Sequence, residues 1–351
     1  RYPATSPMPT PKPPPLRFAL IGPGQIAQVF AESLLESGVG SVACVFGRNL
    51  ARARALAERF GGEAVADLEA AIGHSAVQAV YVATPHSAHA EAVRAALEAG
   101  LPVLCEKPLS PKPETSRALF ALAAAAEVPL VEGYMYRAHP QIERAQAIVR
   151  SGELGALRRI ESHFGFQVPY DRQQRLFAPE LAGGAILDVG GYPLSLALLL
   201  ARAAGISNDA AEVPELALAE GELAASGVDA HAEAELHFGA GLTARARVSL
   251  RTELGRGAIV HGTLGSLRLE DPFLPGGQRR GRSARLWVET ERQRREERIE
   301  ARADCFALEA EELARLVQAR ELEPRAPFVG RAESLALSEL LERWRQRLGA
   351  L

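Results

Sequence analysis

The chain has 351 residues, 47% of them hydrophobic and 24% charged, enough to bury the core of more than one compact domain. Forty basic and 43 acidic side chains leave a formal charge of −3, without the basic excess typical of proteins that bind nucleic acid or anionic membranes. Three widely spaced cysteines, Cys44, Cys105 and Cys305, predict neither a disulfide framework nor a zinc site. We therefore expect no metal, no nucleic-acid or membrane partner, and chemistry on a small molecule.

Residues 1–15 contain seven prolines, a composition that cannot form a helix or a sheet and predicts an extended arm. No charge-free apolar run reaches the roughly 20 residues of a membrane span. The first residue is Arg1, which leaves open a removed signal sequence upstream. We expect a cytoplasmic protein, with a periplasmic location as the alternative.

Residues 16–137 alternate between short apolar runs and segments with helical periodicity. This alternation predicts a doubly wound α/β domain, a Rossmann fold with a parallel sheet. The helical segments include residues 88–99 and 114–127. The predicted strands are RFALI, SVACVF, QAVYVAT, PVLCE and PLVEGY.

The first strand is followed by Gly22 and Gly24, and Gln25 and Ile26 then open a helix. In a dinucleotide-binding fold, glycines at this turn let the backbone approach the pyrophosphate, and the helix offers free N–H groups. The pattern is a relaxed form of the full fingerprint. A tight strand-to-helix turn without a ligand is the alternative interpretation.

The end of the second strand indicates which nicotinamide cofactor binds. NAD sites usually carry an acidic residue about 20 positions after the glycines, whereas NADP needs a cation there. No acidic residue lies between Glu36 and Glu58. We therefore predict NADP rather than NAD, with Arg48, Asn49 and Arg52 around the 2′-phosphate; the alternative is that Arg48 is an ordinary exposed residue at a helix start.

The strand VLCE ends in Glu106-Lys107-Pro108, an unusual position for a lysine. Together with Gly22-x-Gly24, this motif resembles the family of glucose-fructose oxidoreductase, inositol dehydrogenase and dimeric dihydrodiol dehydrogenase, the Gfo/Idh/MocA family. The resemblance runs from about Arg17 to the C-terminus. Four further segments support it: VATPHSAHAEAV, VEGYMYRAHPQ, GGAILDVGGYPL and GTLGSLRL.

The resemblance implies that Lys107 lies beside the nicotinamide, with Asp188 and Tyr192 completing the catalytic site. Moving a hydride from a carbinol carbon requires a base for the hydroxyl proton and a cation for the developing alkoxide. We expect Lys107 to supply the charge and to lower the pKa of Tyr192, which relays the proton, while Asp188 orients the pair. The alternatives are a strand-end lysine reaching solvent and an aromatic packed at a helix start.

Other residues in the matching segments are candidates for binding the cofactor. Thr84, Pro85, His86 and His89 follow the third predicted strand. Glu106 either holds the ribose side of the site or caps a neighbouring helix. Arg137 contacts substrate or cofactor, or is a structural arginine between domains.

Residues 138–351 are predicted to form an α+β domain with a large, mostly antiparallel sheet, which binds substrate. Two segments alternate with period two, and a connection at Gly239–Gly241 sets Glu235 opposite Arg245 and Glu233 opposite Arg247. The charged run at 279–302 mixes both signs and predicts a solvated strand-and-helix face. In the family, such a sheet packs against another subunit, so the resemblance implies a homodimer or homotetramer.

We expect an NADP-dependent oxidoreductase that acts on a sugar or cyclic polyol. By analogy with glucose-fructose oxidoreductase, the arm at residues 2–15 is expected to lie across a partner subunit and slow nucleotide exchange, leaving the cofactor tightly retained. Two alternatives stay open. One is a nicotinamide-dependent glycosidase on the same scaffold, and the other is a non-catalytic dinucleotide sensor, against which Lys107, Asp188 and Tyr192 argue.

Overall fold

The structure, a computed structural model, describes residues 15–207 and 209–350. The prediction of an extended arm at 1–15 therefore lies, except for Pro15, outside the described residues. The first part of the chain forms a six-stranded parallel sheet in the order β3-β2-β1-β4-β5-β6. Its strands are β1 (Leu16–Ile21), β2 (Gly40–Phe46), β3 (Glu63–Val65), β4 (Ala79–Val82), β5 (Val103–Glu106) and β6 (Leu130–Gly133).

This strand order confirms the predicted Rossmann fold. Strand β3 was not predicted, because three residues are too few to show a period. The order reverses between β1 and β4, and the crevice beyond the carboxyl ends of these strands is where such sheets bind ligands. The connecting helices are α1 (Gln25–Ser37), α2 (Leu50–Phe60), α3 (Leu68–Ile72), α4 (His89–Glu98) and α5 (Pro113–Ala125).

The second part of the chain forms an eight-stranded sheet in the order β14-β13-β12-β11-β7-β10-β9-β8. All neighbours are antiparallel except β7 and β10, which run parallel. The strands are β7 (Leu157–Gly165), β8 (Glu215–Leu223), β9 (Asp229–His237), β10 (Thr243–Ser249), β11 (Gly255–Gly262), β12 (Gly265–Glu270), β13 (Ser283–Thr290) and β14 (Arg294–Glu300). The predicted mostly antiparallel sheet is confirmed.

The register predicted for β9 and β10 is also confirmed, with Glu235 opposite Arg245 and Glu233 opposite Arg247. The side chain of Arg245 pairs diagonally, donating from Nε to Glu233 at 3.0 Å. The charged run at 279–302 contains β13 and β14 and no helix, which corrects the expected strand-and-helix face. Both strands of this hairpin have side chains that alternate between the two faces of the sheet. The run therefore has the two-residue period of a strand along its length.

The α-helices among the described residues of the second part are α6 (Pro140–Arg150), α7 (Gly191–Ala203), α8 (Cys305–Ala319) and α9 (Arg331–Leu348). Helix α7 packs on β7 and β10, whereas α8 returns to the first sheet and contacts α1 and β5. The helical stretch Pro179–Ala203 is long and apolar enough to cross a membrane, but its most apolar window is wholly buried in the protein, as in a core helix. It includes a π-helical turn at Ile186–Gly190, a feature often found at functional sites.

Candidate functional site

A cleft of about 1120 Å³ lies between the carboxyl ends of the first sheet and the second part of the chain. It brings together every residue predicted for the site except Arg137. The predicted residues that line it are Gly22, Gly24, Gln25, Ile26, Arg48, Asn49, Arg52, Thr84, Pro85, His86, His89, Glu106, Lys107, Asp188 and Tyr192.

The turn after β1 is shaped for close approach of a ligand to the backbone. Gly22 has φ 103°, and a Cβ there would lie 2.7 Å from the carbonyl oxygen of Ala83, so only glycine fits. Gly24 caps α1 without a side chain, which leaves the first N–H groups of the helix uncapped. Thr84 Oγ1 is buried and has no partner among the described residues. An uncapped helix start and an unsatisfied hydroxyl fit a bound dinucleotide.

The rim beyond β2 carries two arginines, Arg48 and Arg52, whose side chains are exposed. Neither forms an ion pair with a carboxylate in the described part of the chain. Asn49 caps α2, and its Oδ1 accepts a hydrogen bond from the Arg52 amide at 3.1 Å. The cap anchors the start of the helix that carries Arg52, and the two guanidinium groups remain available to a phosphate.

Lys107 lies immediately after β5 and is 9% exposed. Its Nζ donates a hydrogen bond of 2.6 Å to the backbone oxygen of Asp188 in the π-helical turn. The carboxylate of Asp188 points elsewhere and accepts from Arg175 at 3.0 Å. Burial opposes ionisation of Asp188, but the positive charges of Arg175 and Lys107 hold its pKa at about 2. An ionised, anchored Asp188 thus keeps the Lys107 ammonium in place through the backbone.

Tyr192 lies in the first turn of α7, and its ring faces the Lys107 Nζ at 5.4 Å from the ring centroid. Burial raises the pKa of its phenol well above 10, and the negative charges of Glu106 and Asp188 raise it further. The predicted lowering of this pKa by the ammonium is therefore wrong. Desolvation and the nearby carboxylates outweigh Arg279, the cation that acts to lower the pKa of this phenol. At neutral pH the hydroxyl is protonated, the form that can donate a proton.

The two histidines of the β4 loop are held by backbone carbonyls. His86 Nδ1 lies 2.9 Å from the Ala182 oxygen, and burial lowers its pKa to about 3. His89 lies between the oxygens of Pro108 and Thr84, each at 2.9 Å from a ring nitrogen. Burial lowers the pKa of His89 to about 4, so its neutral ring donates to one of these carbonyls. His89 thereby joins the loop after β4 to the loop that carries Lys107.

Two neighbouring carboxyl groups differ in exposure: Glu106 is partly buried and lines the cleft, whereas Glu309 is buried. Glu106 accepts a hydrogen bond of 2.7 Å from the Tyr81 hydroxyl, and burial raises its pKa. Glu309, on α8, was not identified from the sequence. It is 2% exposed, its Oε2 has no partner among the described residues, and burial together with the charge of Glu106 raises its pKa well above 4.5.

We expect the free energy of unfolding of Glu309→Gln to increase relative to that of the wild type as the pH rises from 5 to 8. A raised native pKa means that the folded state holds a proton that the unfolded state releases above pH about 4.3, so wild-type stability falls with rising pH. The loss approaches about 1.4 kcal/mol per pH unit for one group, and glutamine does not titrate. Urea unfolding at both pH values measures the difference.

The control for this experiment is Glu58→Gln, at an exposed position on α2. It should leave the pH dependence of the free energy of unfolding unchanged. A Glu309→Gln variant whose stability follows the same pH slope as the wild type would contradict a protonated Glu309.

Arg137 is not among the residues that line the cleft, which corrects its interpretation as a cofactor ligand. It is fully buried and donates to the backbone oxygens of Pro327 at 2.9 Å and Ser195 at 3.1 Å. It also forms an ion pair with Glu333, at the start of α9. These bonds join α7 and α9 to the segment after β6, so Arg137 is a structural residue.

Several cleft residues have no sequence motif that identifies them. They are Phe164, Phe166, Arg175, Arg256 and Arg279. The two phenylalanines are two residues apart and so share a face of an extended segment, which is a weak signal. The arginines come from separate loops and from β11, and only the fold brings them into the same cleft as Lys107.

Two protein-family models match the chain. The first, "Oxidoreductase family, NAD-binding Rossmann fold", matches residues 16–134, and the second, "GFO/IDH/MocA C-terminal domain", matches residues 142–268. Among known proteins, the chain is 31% identical to D-xylose 1-dehydrogenase (NADP(+)) 2 of Haloferax volcanii, over 93% of this chain and 95% of that protein. It is 28% identical to trans-1,2-dihydrobenzene-1,2-diol dehydrogenase of Mus musculus, over 95% and 97% of the two chains.

Among solved structures, the fold is similar to that of KijD10, a 3-ketoreductase from Actinomadura kijaniata, in its complex with NADP and TDP-benzene. The TM-score is 0.83 and the sequence identity 28%, over 95% of this chain and 97% of that chain. The identity to the xylose dehydrogenase over nearly the whole length of both proteins, together with the two family models, confirms the expected relationship. The chain belongs to the Gfo/Idh/MocA family of oxidoreductases.

Proposed function

We propose that this protein is an NADP-dependent oxidoreductase that transfers a hydride between the nicotinamide and a carbinol or carbonyl carbon of a sugar or cyclic polyol. The observation that carries the proposal is that Lys107 and Tyr192 face each other in the same cleft as the glycine turn and the arginine rim. The similar proteins are named as a xylose dehydrogenase, a dihydrodiol dehydrogenase and a ketoreductase. Structures of that ketoreductase also exist with a lysine or a tyrosine replaced, the residue types found here.

The residues of the first sheet fit NADP. The turn at Gly22 and Gly24 and the hydroxyl of Thr84 would hold the dinucleotide, and Arg48 and Arg52 its 2′-phosphate. Bound NADP supplies the hydride acceptor or donor. The protein adds two buried and oriented groups at the reacting carbon, the Lys107 ammonium and the Tyr192 hydroxyl.

In the reductive direction, the protonated Tyr192 hydroxyl donates its proton to the carbonyl oxygen as that oxygen gains charge. The Lys107 ammonium stabilises the developing alkoxide, and its bond to the Asp188 carbonyl keeps it oriented. In the oxidative direction, the same phenol has to receive the hydroxyl proton, so it must first be deprotonated. The rings of Phe164, Phe273 and Tyr136 lie 5.3, 5.6 and 5.7 Å from the Tyr192 ring and exclude water from one side.

The test is a panel of neutral sugars, cyclic polyols, their ketone forms and simple glycosides, assayed with NADP+ and with NADPH. Net formation or consumption of NADPH supports the proposal. Cleavage of a glycoside without net change in free NADPH would favour the glycosidase, and cofactor binding without any turnover would favour the sensor.

We expect Arg48→Asp to weaken NADP binding relative to NAD by about 10-fold to 100-fold, the value of a lost bond to a charged group. The introduced carboxylate also repels the 2′-phosphate. Dissociation constants for both cofactors, measured by fluorescence titration, give the ratio. Arg54→Asp is the matched control, because Arg54 is exposed on α2 but does not line the cleft. An unchanged NADP to NAD ratio in Arg48→Asp would place the 2′-phosphate elsewhere.

We also propose that the face of the second sheet that carries Glu233 and Arg245 binds a second copy of the chain, forming a homodimer or homotetramer. Acidic and basic side chains alternate across this face, as between Glu233 and Arg245 on neighbouring strands, which suits a self-complementary contact. The mass of the protein in solution tests this.

A tightly retained cofactor is a further proposal, tested by mass spectrometry of the purified protein for bound nucleotide.

A further inference from the structure

Two arginines line the part of the cleft formed by the second sheet, and the proposed chemistry uses neither. Arg256 lies in β11 directly opposite Phe164 in β7. Its guanidinium is 6.0 Å from the Phe164 ring, and that ring is 5.3 Å from the Tyr192 ring. One aromatic side chain therefore separates this positive charge from the proposed proton donor.

Arg256 is held in position by the loop that follows β12. Its Nε donates to Asp271 Oδ1 at 3.1 Å, and its side chain is 24% exposed. Its Nη2 lies 3.8 Å from where a Cβ on Gly277 would be, so the loop packs against the guanidinium. The bond to Asp271 uses one of five N–H groups, and the two terminal nitrogens can still bind an anion.

Arg279 lies on the same loop and lines the cleft with an exposed side chain. It has no carboxylate partner in residues 15–207 and 209–350. Its neighbour Arg280 forms ion pairs with Glu32, Glu36 and Asp304. The Arg280 pairs tie the loop to α1 and to the start of α8, while the charge of Arg279 is left uncompensated in the cleft.

Asp271 compensates the charge of Arg256, but the other acidic groups near the proposed reaction centre leave Arg279 without a counter-charge. Asp188 is paired with Arg175, and the carboxyl of Glu106 is bound by Tyr81. Lys107 adds a further positive charge. The Phe164 and Phe166 rings and Leu274 supply apolar surface between the charges, suited to the C–H face of a sugar ring.

We infer that Arg256 and Arg279 bind an anionic group of the substrate, so that the sugar acted on by this protein carries a carboxylate or a phosphate. This inference rests on the proposed function. A guanidinium binds both groups through paired N–H donors, and the single ring between Arg256 and Tyr192 places the anion on the reacting sugar or directly attached to it. A sugar acid, a sugar phosphate and a nucleotide-linked sugar share this chemistry.

The test compares neutral sugars with their anionic counterparts in binding and in turnover. Affinities of D-glucose, D-glucuronate, D-glucose 6-phosphate and dTDP-glucose are measured by calorimetry on the enzyme saturated with NADPH. Values of kcat/KM are measured for each neutral sugar of the panel and for its carboxylate or phosphate form, wherever that form is soluble. We expect an anionic form to bind at least 10-fold more tightly than its neutral parent, and the preferred one identifies the source of the charge.

The variants are Arg256→Gln and Arg279→Gln, with Arg279→Lys to retain the charge and Arg298→Gln as the control. Arg298 lies on β14, is 71% exposed and is paired with Glu300. The ratio of anionic to neutral affinity should fall about 10-fold to 100-fold in each glutamine variant, recover in Arg279→Lys and stay unchanged in Arg298→Gln. Thermal melts verify that each variant is folded; because Arg279 is exposed, its variants test the inference even if Arg256→Gln unfolds.

The outcomes separate this inference from the proposed function. Two results would overturn the anion site and leave the oxidoreductase intact. One is turnover of neutral sugars together with equal affinity for neutral and anionic forms. The other is a ratio of anionic to neutral affinity that stays unchanged in the folded glutamine variants. Preferential binding of an anionic form that requires Arg279, without turnover of any sugar, would support the anion site and overturn the proposed reaction.

Discussion

Replacing Lys107 with methionine is expected to lower turnover by several orders of magnitude and to change the affinity for NADP far less. Methionine keeps the length of the side chain but removes the only ammonium that faces Tyr192 among the described residues. That charge acts on the alkoxide that develops in the transition state, where a preorganised cation in a desolvated site has its largest effect. Single-turnover rates with saturating NADPH, together with a fluorescence titration of cofactor binding, separate the two quantities.

The matched control is Lys112→Met, at an exposed position just before α5. It should behave as the wild type in both measurements. Turnover of Lys107→Met within a few-fold of the wild type would remove Lys107 from the reaction. An equal loss of cofactor affinity and turnover would make it a cofactor ligand instead.

Tyr192→Phe is expected to lower the rate by about 10² to 10⁴, the contribution of a positioned general acid or base. The ring and its contacts with Phe164 and Phe273 remain, so the loss reports the hydroxyl. Because burial raises the pKa of Tyr192 above 10, the phenol stays protonated across the neutral range. Ionisation of Tyr192 should therefore not lower the wild-type reductive rate up to pH about 9. The oxidative rate should instead rise with pH. Tyr192→Phe should lose that rise.

Tyr134→Phe serves as the control for this experiment. Its ring lies 6.0 Å from the Tyr192 ring, its hydroxyl is buried without a partner in the described residues, and it does not line the cleft. It should keep the wild-type rate and pH profile. If Tyr192→Phe also keeps both, another group transfers the proton.

The neutral phenol changes how the site is understood. A tyrosine whose pKa had fallen toward 7 would serve equally as acid and base, whereas the phenol of Tyr192 stays protonated at neutral pH, which fits its proposed role as a proton donor. Asp188 contributes through its position more than through its charge, since its carboxylate pairs with Arg175 and its backbone oxygen receives Lys107. The site is therefore organised by the π-helical turn at Ile186–Gly190 as much as by the three side chains.

The sequence by itself determined the features that depend on local order along the chain. Strand and helix alternation gave the parallel sheet, and period two gave the register between Glu235 and Arg245. The glycine turn and the strand end at Lys107 located one side of the cleft, because the carboxyl ends of parallel strands share an edge. The absence of an acidic residue after β2 indicated NADP.

Only the tertiary structure decided the features that depend on residues far apart in the chain. The sequence could not place Arg137, whose partner Glu333 follows it by nearly 200 positions, and burial with that carboxylate makes it structural. It could not give the pKa of Tyr192, because desolvation and the charges of Glu106 and Asp188 exist only after the domains pack together. The same holds for Arg256 and Arg279, whose positive charges enter the cleft because β11 and the loop after β12 fold against Phe164.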